Sequence, residues 1–391
     1  MTVSPDLPKA KDMLSDRIQR VAPSATIAMS RRARQMREAD IDVIALSAGE
    51  PDFATPDHIC EAAIEAMAQG ETSYTNVDGT TEFKTAIQAK FARDNGLDYS
   101  IDQINVSPGG KAVIANAFAA TLSPGDEVIV PTPCWVSYPE MVKLFDATPV
   151  MVAGSPFKIT AESLKTAITP RTKWLLLNSP GNPTGTVYSE QELSSLADVL
   201  RRHPHVMVLS DDIYEPIRFG LPFATIAAVA PDLKERVLTL NGLSKAYAMT
   251  GWRIGYAGGP KWLIDAMRKV MGQTTSCASS LSQAAGVAAL NGPQGFLDGW
   301  VDTYRERRDL VVEGLNRLPG VACDAPDGAF YIFAKLDTPD DVGWCERVLD
   351  DAHVALVPGS AFQSPGHFRL SYATSTVDLE RALERLRKTL G

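Results

Sequence analysis

The residues of this chain best suited to covalent chemistry lie in the stretch Leu238–Tyr256, LTLNGLSKAYAMTGWRIGY. Lys245 follows an apolar run and has small or apolar neighbours, which disfavour a charged ammonium and favour a neutral amine that can form a Schiff base. Arg253 comes later in the same stretch, between glycines that allow close backbone approach, and its guanidinium can fork onto a phosphate. The stretch therefore predicts a reactive lysine beside a phosphate-binding arginine.

Other polar candidates each follow a short apolar segment that is predicted to be a strand. The pairs of predicted strand and following candidates are 104–106 with Gly110 and Lys111, 127–130 with Trp135, 174–177 with Asn182, and 206–209 with Asp211 and Tyr214. Helical segments separate these strands, which is typical of an α/β fold with a parallel sheet. Because ligands bind at the carboxyl edge of such a sheet, we expect these loops to meet around one pocket.

Taken one at a time, these candidates have simpler interpretations. Asp211 could cap a helix, Tyr214 could belong to the core, and Trp135 could be a packing residue in a proline-rich turn. Gly110 and Lys111 open a predicted helix from 112 to 121, whose N-terminus could receive a phosphate. No Walker loop or dinucleotide-binding glycine motif is present. Only the convergence of several loops favours a functional site.

Beyond about residue 292 the pattern changes to a long helix, 295–318, two strands at 329–334 and 367–372, and an amphipathic closing helix. We therefore predict an N-terminal arm and helix, 1–48, that joins a small C-terminal domain, 293–391. The large domain between them is predicted to span 49–292. Arg369 lies on a predicted strand of the small domain, where it faces either solvent or an anion.

The composition excludes several classes of protein. The chain has 391 residues and a net charge of −9, so binding to nucleic acid is not expected. Its five cysteines are scattered and show no metal-binding or disulfide pattern. Neither a secretory leader nor an apolar run of membrane-spanning length is recognisable. We expect a cytoplasmic protein that acts on small molecules, without a metal and without a membrane partner.

Seven motifs occur in an order found in one enzyme family: GEPDF, NSPGNPTG, SDDIY, LSKAYAMTGWRIGY, DGAFY, VPGSAF and FRLSYATS. The chain resembles the class I, fold-type I pyridoxal-phosphate aminotransferases, and is most similar to the bacterial aspartate/prephenate aminotransferase branch. The resemblance implies an α/β large domain with a mainly parallel sheet between helices, plus a smaller α+β domain. It also implies pyridoxal 5'-phosphate as cofactor, amino acids and 2-oxo acids as substrates, and a homodimer with shared active sites.

The resemblance assigns a role to each candidate. Lys245 is the Schiff-base lysine, Asp211 binds the pyridine nitrogen, and Tyr214 tunes the cofactor with Asn182. The remaining cofactor-binding residues are Gly110, Lys111, Trp135, Ser244, Arg253 and, from the neighbouring subunit, Tyr74. The substrate-binding residues are Gly49, Trp135, Asn182 and Arg369, with Arg369 clamping the α-carboxylate. The implied reaction is a ping-pong transamination with aspartate or a similar amino acid as donor.

Two departures from the family pattern bear on this assignment. Gly242 stands where some relatives have a phosphate-binding serine, so the phosphate is expected to depend more on Arg253, Lys111 and Tyr74. Residues 112–121 contain no basic side chain, whereas that branch often recognises a distal carboxylate with a lysine on this helix. The identity of the amino donor's side chain is therefore left open.

The alternative enzyme is a lyase of the same fold, of the C–S β-lyase or aminocyclopropane-carboxylate synthase type. A regulator is not expected, because the roughly 20 residues before the first helix are too few for a DNA-binding module.

Overall fold

The structure is a computed structural model that describes residues 13–391, in which helices cover both faces of a central sheet. The helices are α1 (Asp16–Gln19), α2 (Ala25–Glu38), α3 (Asp57–Ala68), α4 (Thr81–Asn95), α5 (Gly110–Thr121), α6 (Ser137–Leu144), α7 (Ala161–Ala167), α8 (Glu190–Arg201), α9 (Ile226–Val229), α10 (Lys261–Thr274), α11 (Ser280–Asn291), α12 (Phe296–Leu315), α13 (Asp341–Arg347) and α14 (Thr376–Leu390). Within the described residues, no helix is long and apolar enough to cross a membrane.

Among residues 13–391, seven strands form the central sheet and six lie in two smaller sheets. The strands are β1 (Ile44–Ala45), β2 (Ile104–Ser107), β3 (Glu127–Thr132), β4 (Thr148–Ala153), β5 (Thr172–Asn178), β6 (Met207–Asp211), β7 (Val237–Gly242), β8 (Gly255–Gly258), β9 (Val321–Ala322), β10 (Tyr331–Leu336), β11 (Val354–Ala355), β12 (Val357–Pro358) and β13 (His367–Ser371). The central order is β2-β8-β7-β6-β5-β3-β4. Pairing is parallel from β7 through β4, and β8 is antiparallel to both of its neighbours. The predicted α/β fold with a mainly parallel sheet is confirmed.

The apolar strands are continuous because the sheet is buried on both faces. Along β5, Leu175 and Leu177 belong to one hydrophobic cluster, whereas Trp174 and Leu176 belong to a second cluster on the opposite face. Successive side chains of a strand point to opposite faces, so each strand contributes to both cores. This packing fixes the position of the C-terminal end of each strand, and therefore the point at which the following loop begins.

The reactive stretch lies at the carboxyl edge of the sheet, in the loop between β7 and the reversed strand β8. β7 ends at this edge, the loop 243–254 crosses it, and β8 starts there, with Gly242 opposite Gly255. Gly255 has no room for a side chain, because an added Cβ would clash with the backbone of Gly110. The start of α5 therefore lies directly against the loop that carries Lys245 and Arg253. The sequence pattern did not predict β8 or the edge strand β4.

The C-terminal part contains its own antiparallel sheet, in the order β12-β13-β10-β9. The N-terminal segment joins this part through β1, which pairs in parallel with β11 so that Ile44 lies opposite Val354. α14 buries Leu379 and Leu386 against the same core, on the face that its leucine spacing indicates. The division at residues 48 and 292 stays a prediction.

Several predicted boundaries differ slightly from the observed ones. The largest consequence is at α5, which begins at Gly110 and not at 112. The predicted start placed Lys111 outside the helix. Glycine is tolerated in the first helical turn, so α5 can begin at Gly110, and the residue before it, Gly109, has a φ of +89° that glycine readily adopts. Lys111 is therefore a residue of α5. The proline-rich string after β5 contains two cis peptide bonds, Ser179–Pro180 and Asn182–Pro183.

Candidate active site

The loops at the carboxyl edge of the sheet enclose a cavity of about 820 Å³. Eleven of the predicted site residues line it: Gly49, Gly110, Lys111, Trp135, Asn182, Asp211, Tyr214, Ser244, Lys245, Arg253 and Arg369. Tyr74 does not, since its side chain is 90% exposed on the surface of its own chain. Residues from both the large sheet and the C-terminal sheet therefore converge on one pocket. The order of the parallel strands predicts this convergence for the loops of the large sheet.

Lys245 is held in a form that suits a nucleophile. Its Nζ donates a hydrogen bond to the Gly49 carbonyl at 2.5 Å. Burial lowers the pKa of Lys245 to about 8, although the nearby Glu50 carboxylate acts in the opposite direction. A lysine with this pKa has roughly a tenth of its amine neutral at pH 7. Its environment therefore matches the requirement for a Schiff-base lysine.

Asp211 ends β6 and is a buried carboxyl group with defined partners. Tyr138 in the first turn of α6 donates its hydroxyl to Asp211 Oδ2 at 2.7 Å, and the Ile213 N–H approaches Oδ1 at 3.4 Å. Burial raises the pKa of Asp211 to about 6, and the hydrogen bond from Tyr138 opposes this rise. The side chain faces the cavity, where a carboxylate of this kind can hold a protonated ring nitrogen.

Tyr138 is a site residue that sequence reasoning missed. It lies three residues after Trp135, and the two rings make an edge-on contact with centroids 5.3 Å apart. The available signal was a second aromatic residue three positions after Trp135, in the first turn of the helix. Both residues line the cavity, and Tyr138 also bonds to Asp211.

Arg369 is a buried cation at the junction of the two sheets. Its Nη1 donates to Asn182 Oδ1 at 3.0 Å and its Nη2 to the Ser47 carbonyl at 2.7 Å. The guanidinium also lies over the rings of Tyr331 and Phe362, at 4.5 and 4.9 Å. Within residues 13–391 its Nε has no hydrogen-bond partner. A buried cation with neutral acceptors and an unsatisfied donor is suited to bind a carboxylate.

Tyr331 is a second residue that sequence reasoning left without a role, although its motif DGAFY was recognised. Its hydroxyl forms a 2.7 Å hydrogen bond with the hydroxyl of Tyr214. A Cβ added to Gly49 would come within 2.6 Å of the same hydroxyl, so only glycine fits at that position. Tyr331 therefore bonds to the Tyr214 hydroxyl, lies against the loop at Gly49 and packs under the Arg369 guanidinium.

The other end of the cavity is built for an anion. α5 begins here, and its first N–H groups have no partners within the helix. Arg253 packs against Gly109, where an added Cβ would clash with the guanidinium. Lys111 lies over the Trp135 ring, with Nζ 4.9 Å from the centroid, and burial together with the charge of Arg253 lowers the pKa of Lys111. Two cations and a helix N-terminus form a subsite suited to a phosphate.

Comparison with known proteins identifies the family to which this site belongs. The family model "Aminotransferase class I and II" matches residues 41–386. The chain belongs to the class I and II aminotransferases. It is 51% identical to an aspartate aminotransferase of Rhizobium meliloti, across 99% of this chain and 98% of that protein. It is 49% identical to an aspartate/prephenate aminotransferase of Cereibacter sphaeroides, across 95% and 97%.

Solved structures of aminotransferases have the same fold. The aspartate aminotransferase of Rhizobium meliloti superposes with a TM-score of 0.93 at 51% identity, covering 96% of this chain and 98% of that one. The Thermus thermophilus aspartate aminotransferase with maleate superposes with a TM-score of 0.92 at 45% identity, covering 96% and 99%. The resemblance to the bacterial aspartate/prephenate branch and the fold-type I architecture are confirmed, and the enzyme is a transaminase.

Pyridoxal phosphate is the cofactor that this family implies, and the residues of the aminotransferase fit it. The cofactor needs an amine, a ring acid, a flat partner and phosphate donors. Lys245, Asp211, Trp135 and the subsite at Arg253 supply one of each around the same cavity. Gly109 leaves room for the Arg253 guanidinium beside the start of α5, whose first N–H groups have no partners within the helix.

Proposed function

We propose that this aminotransferase moves the amino group of aspartate, or of a similar dicarboxylic amino acid, to a 2-oxo acid such as 2-oxoglutarate in a ping-pong cycle that depends on pyridoxal phosphate. The observation that carries this proposal is the meeting of Lys245, Asp211 and Arg369 in one cavity. The names of the similar proteins support aspartate as the donor. The lyase alternative gains no support from them.

When bound, pyridoxal phosphate supplies an aldehyde that reacts with amines and a pyridine ring that accepts electrons. Lys245 would hold the cofactor through its amine and, once free, would move a proton to or from the substrate α-carbon as general base and acid. Its lowered pKa allows both roles near neutral pH. Asp211, as a buried carboxylate, would hold the proton on the ring nitrogen. Tyr214, whose hydroxyl bonds to that of Tyr331, would hydrogen-bond the cofactor's phenolic oxygen.

Arg369 orients the substrate by binding its α-carboxylate. A carboxylate is a stronger acceptor than the Ser47 carbonyl and the Asn182 side chain that Arg369 now contacts. Stacking on Tyr331 and Phe362 fixes the plane of the guanidinium, so a bidentate carboxylate has one orientation. Lys245 lines the same cavity, so its amine is available to a substrate held at Arg369.

The second carboxylate of aspartate has a candidate partner in Lys111. The helix after the phosphate-binding loop includes this lysine, because α5 starts at Gly110. Its Nζ lies over Trp135, and both residues line the cavity. A cation here supports a dicarboxylic donor, although residues 112–121 carry no basic side chain.

We further propose that the enzyme is a cytoplasmic homodimer in which Tyr74 completes the neighbouring site. Tyr74 is 90% exposed, and its loop is held by Gln283, which donates to Thr75 at 3.0 Å. An exposed aromatic on a fixed loop is suited to an interface. Its hydroxyl would reach the cofactor phosphate of the partner subunit.

The test is the visible spectrum of the purified holoenzyme, titrated in turn with aspartate, glutamate, alanine and phenylalanine. We expect the band of the bound cofactor to convert with aspartate and to return with 2-oxoglutarate. Lys245→Ala should keep the fold but lose multiple turnover, whereas the surface variant Lys261→Ala should behave as wild type. A cofactor band that no amino acid converts would refute transamination, and full turnover by Lys245→Ala would refute the role of the lysine.

A further inference from the structure

The face of α2 that lines the cavity extends well beyond the reacting end. The α2 residues on this wall are Thr26, Ile27, Ser30, Arg31, Arg34, Gln35 and Glu38. Their spacing of three and four residues marks a single helical face. From Ile27 to Glu38 this face is about 16 Å long at a rise of 1.5 Å per residue. A four-carbon substrate held at Arg369 leaves much of this wall uncovered.

Two arginines on this face have no partner. Arg31 and Arg34 are exposed, and within residues 13–391 neither makes a hydrogen bond or an ion pair. The other arginines of α2 are engaged, since Arg32 contacts Asp350 at 2.6 Å and Arg37 donates to the Val43 carbonyl at 2.9 Å. Only the two arginines that line the cavity are therefore unpaired among those of α2.

The cavity holds more positive charge than the proposed reaction requires. Lys245 is needed for the chemistry, Arg253 for the phosphate and Arg369 for the α-carboxylate. Besides these, the lining includes the cations Lys111, Arg31 and Arg34, and the acids Glu38, Glu50 and Asp211. Lys111 lies beside Arg253 at the phosphate end. The α2 pair comes from a different element of the cavity wall and remains available for a further anion.

We propose that Arg31 and Arg34 form a specificity subsite for the second carboxylate of dicarboxylic substrates with side chains longer than that of aspartate. The proposal rests on the transaminase function above. Arg31 and Arg34 are three residues apart, so both guanidinium groups can reach one carboxylate. Guanidinium groups bind carboxylates through paired, charge-assisted hydrogen bonds, and an uncharged side chain offers them no such partner. The subsite therefore selects for charge at the far end of the substrate.

The experiment compares the double variant Arg31→Gln/Arg34→Gln with wild type on substrates of increasing length. We expect kcat/KM for glutamate and 2-aminoadipate to fall about 10-fold to 100-fold, mostly through KM, as expected for losing charge-assisted hydrogen bonds. The values for alanine and norleucine should stay within about twofold, because neither carries a second carboxylate. Binding of adipate to the holoenzyme, measured by calorimetry, should weaken by a similar factor while binding of pentanoate does not.

Arg32→Gln is the matched control, because it removes the same charge from the same helix on the side that faces Asp350. It should leave all these values near wild type. Equal losses for charged and uncharged substrates, or no loss at all, would overturn the subsite. If wild type converts aspartate and the double variant still treats 2-aminoadipate as wild type does, only the subsite fails. If wild type transaminates none of these amino acids, the proposed function fails first.

Discussion

Replacing Tyr138 with phenylalanine removes one hydroxyl group and leaves Asp211 buried without its best donor. The bond between Tyr138 and Asp211 Oδ2 is 2.7 Å long, and Tyr138 is 3% exposed, so water does not replace it. A hydrogen bond to a charged group contributes about 1.5–3 kcal/mol. Its loss should raise the pKa of Asp211 above the present value of about 6, making the ionisation constant roughly 10-fold to 100-fold smaller.

The assay is the free energy of unfolding of the cofactor-free protein, compared between variant and wild type at pH 5.5 and pH 8.5. The pKa of Asp211 is higher in the folded state than in the unfolded state, so folding favours the protonated acid. Its contribution to stability is full below about pH 4 and is lost as pH rises through about 6. In Tyr138→Phe this loss should be larger and should continue to higher pH. The variant's deficit should therefore grow by about 1.5–3 kcal/mol between pH 5.5 and pH 8.5.

Tyr99→Phe provides the control, because the buried hydroxyl of Tyr99 bonds to an uncharged group, Thr239 Oγ1, at 3.0 Å. Its cost should be independent of pH. In the holoenzyme, the acid limb of kcat/KM should also move to higher pH for Tyr138→Phe and stay in place for Tyr99→Phe. If the deficit of Tyr138→Phe is the same at both pH values and the acid limb does not move, Tyr138 does not tune Asp211 and the reasoning is wrong.

Two further variants probe other buried charges of the enzyme. Arg369→Lys keeps the charge but loses the planar fork, so kcat/KM for aspartate should fall about 100-fold while the spectrum of the bound cofactor is unchanged; an unchanged KM would argue against a carboxylate clamp. Asp212 is a fully buried acid whose Oδ2 has no partner within residues 13–391, and burial raises its pKa to about 7. Asp212→Asn cannot ionise, so relative to wild type it should gain about 1–3 kcal/mol at pH 8.5 and little at pH 4; unfolding curves that differ equally at both pH values would contradict this.

The sequence alone could predict the site residues that follow the parallel strands, because loops after such strands meet at one edge of the sheet. Asn182, Asp211 and Lys245 each follow a strand of one parallel sheet, so their convergence depends only on the order of strands and loops. Local evidence for Arg369 was evenly balanced, because its strand β13 lies in another sheet and no such rule connects the two. Only the family resemblance placed it at the site.

The residues that were missed approach the cavity from elements that the strand rule does not cover. Tyr138 comes from a helix, Tyr331 from the first position of β10, and Arg31 and Arg34 from the N-terminal helix that packs near β11 and β12. Their roles depend on tertiary distances, such as 2.7 Å from the Tyr214 hydroxyl to that of Tyr331. A sequence shows that a tyrosine lies on a helix or a strand, but not which buried group its hydroxyl meets.

The loop at residues 47–49 provides hydrogen-bond acceptors for two basic side chains of the cavity, Arg369 and Lys245. Its Ser47 carbonyl accepts from Arg369, and its Gly49 carbonyl accepts from Lys245. A neutral acceptor satisfies a donor, but hydrogen bonds between ionised groups are roughly twice as strong. A substrate carboxylate can therefore displace the Ser47 carbonyl from Arg369. Both carbonyls belong to one loop, so the same short segment positions Arg369 and, before the cofactor is bound, Lys245.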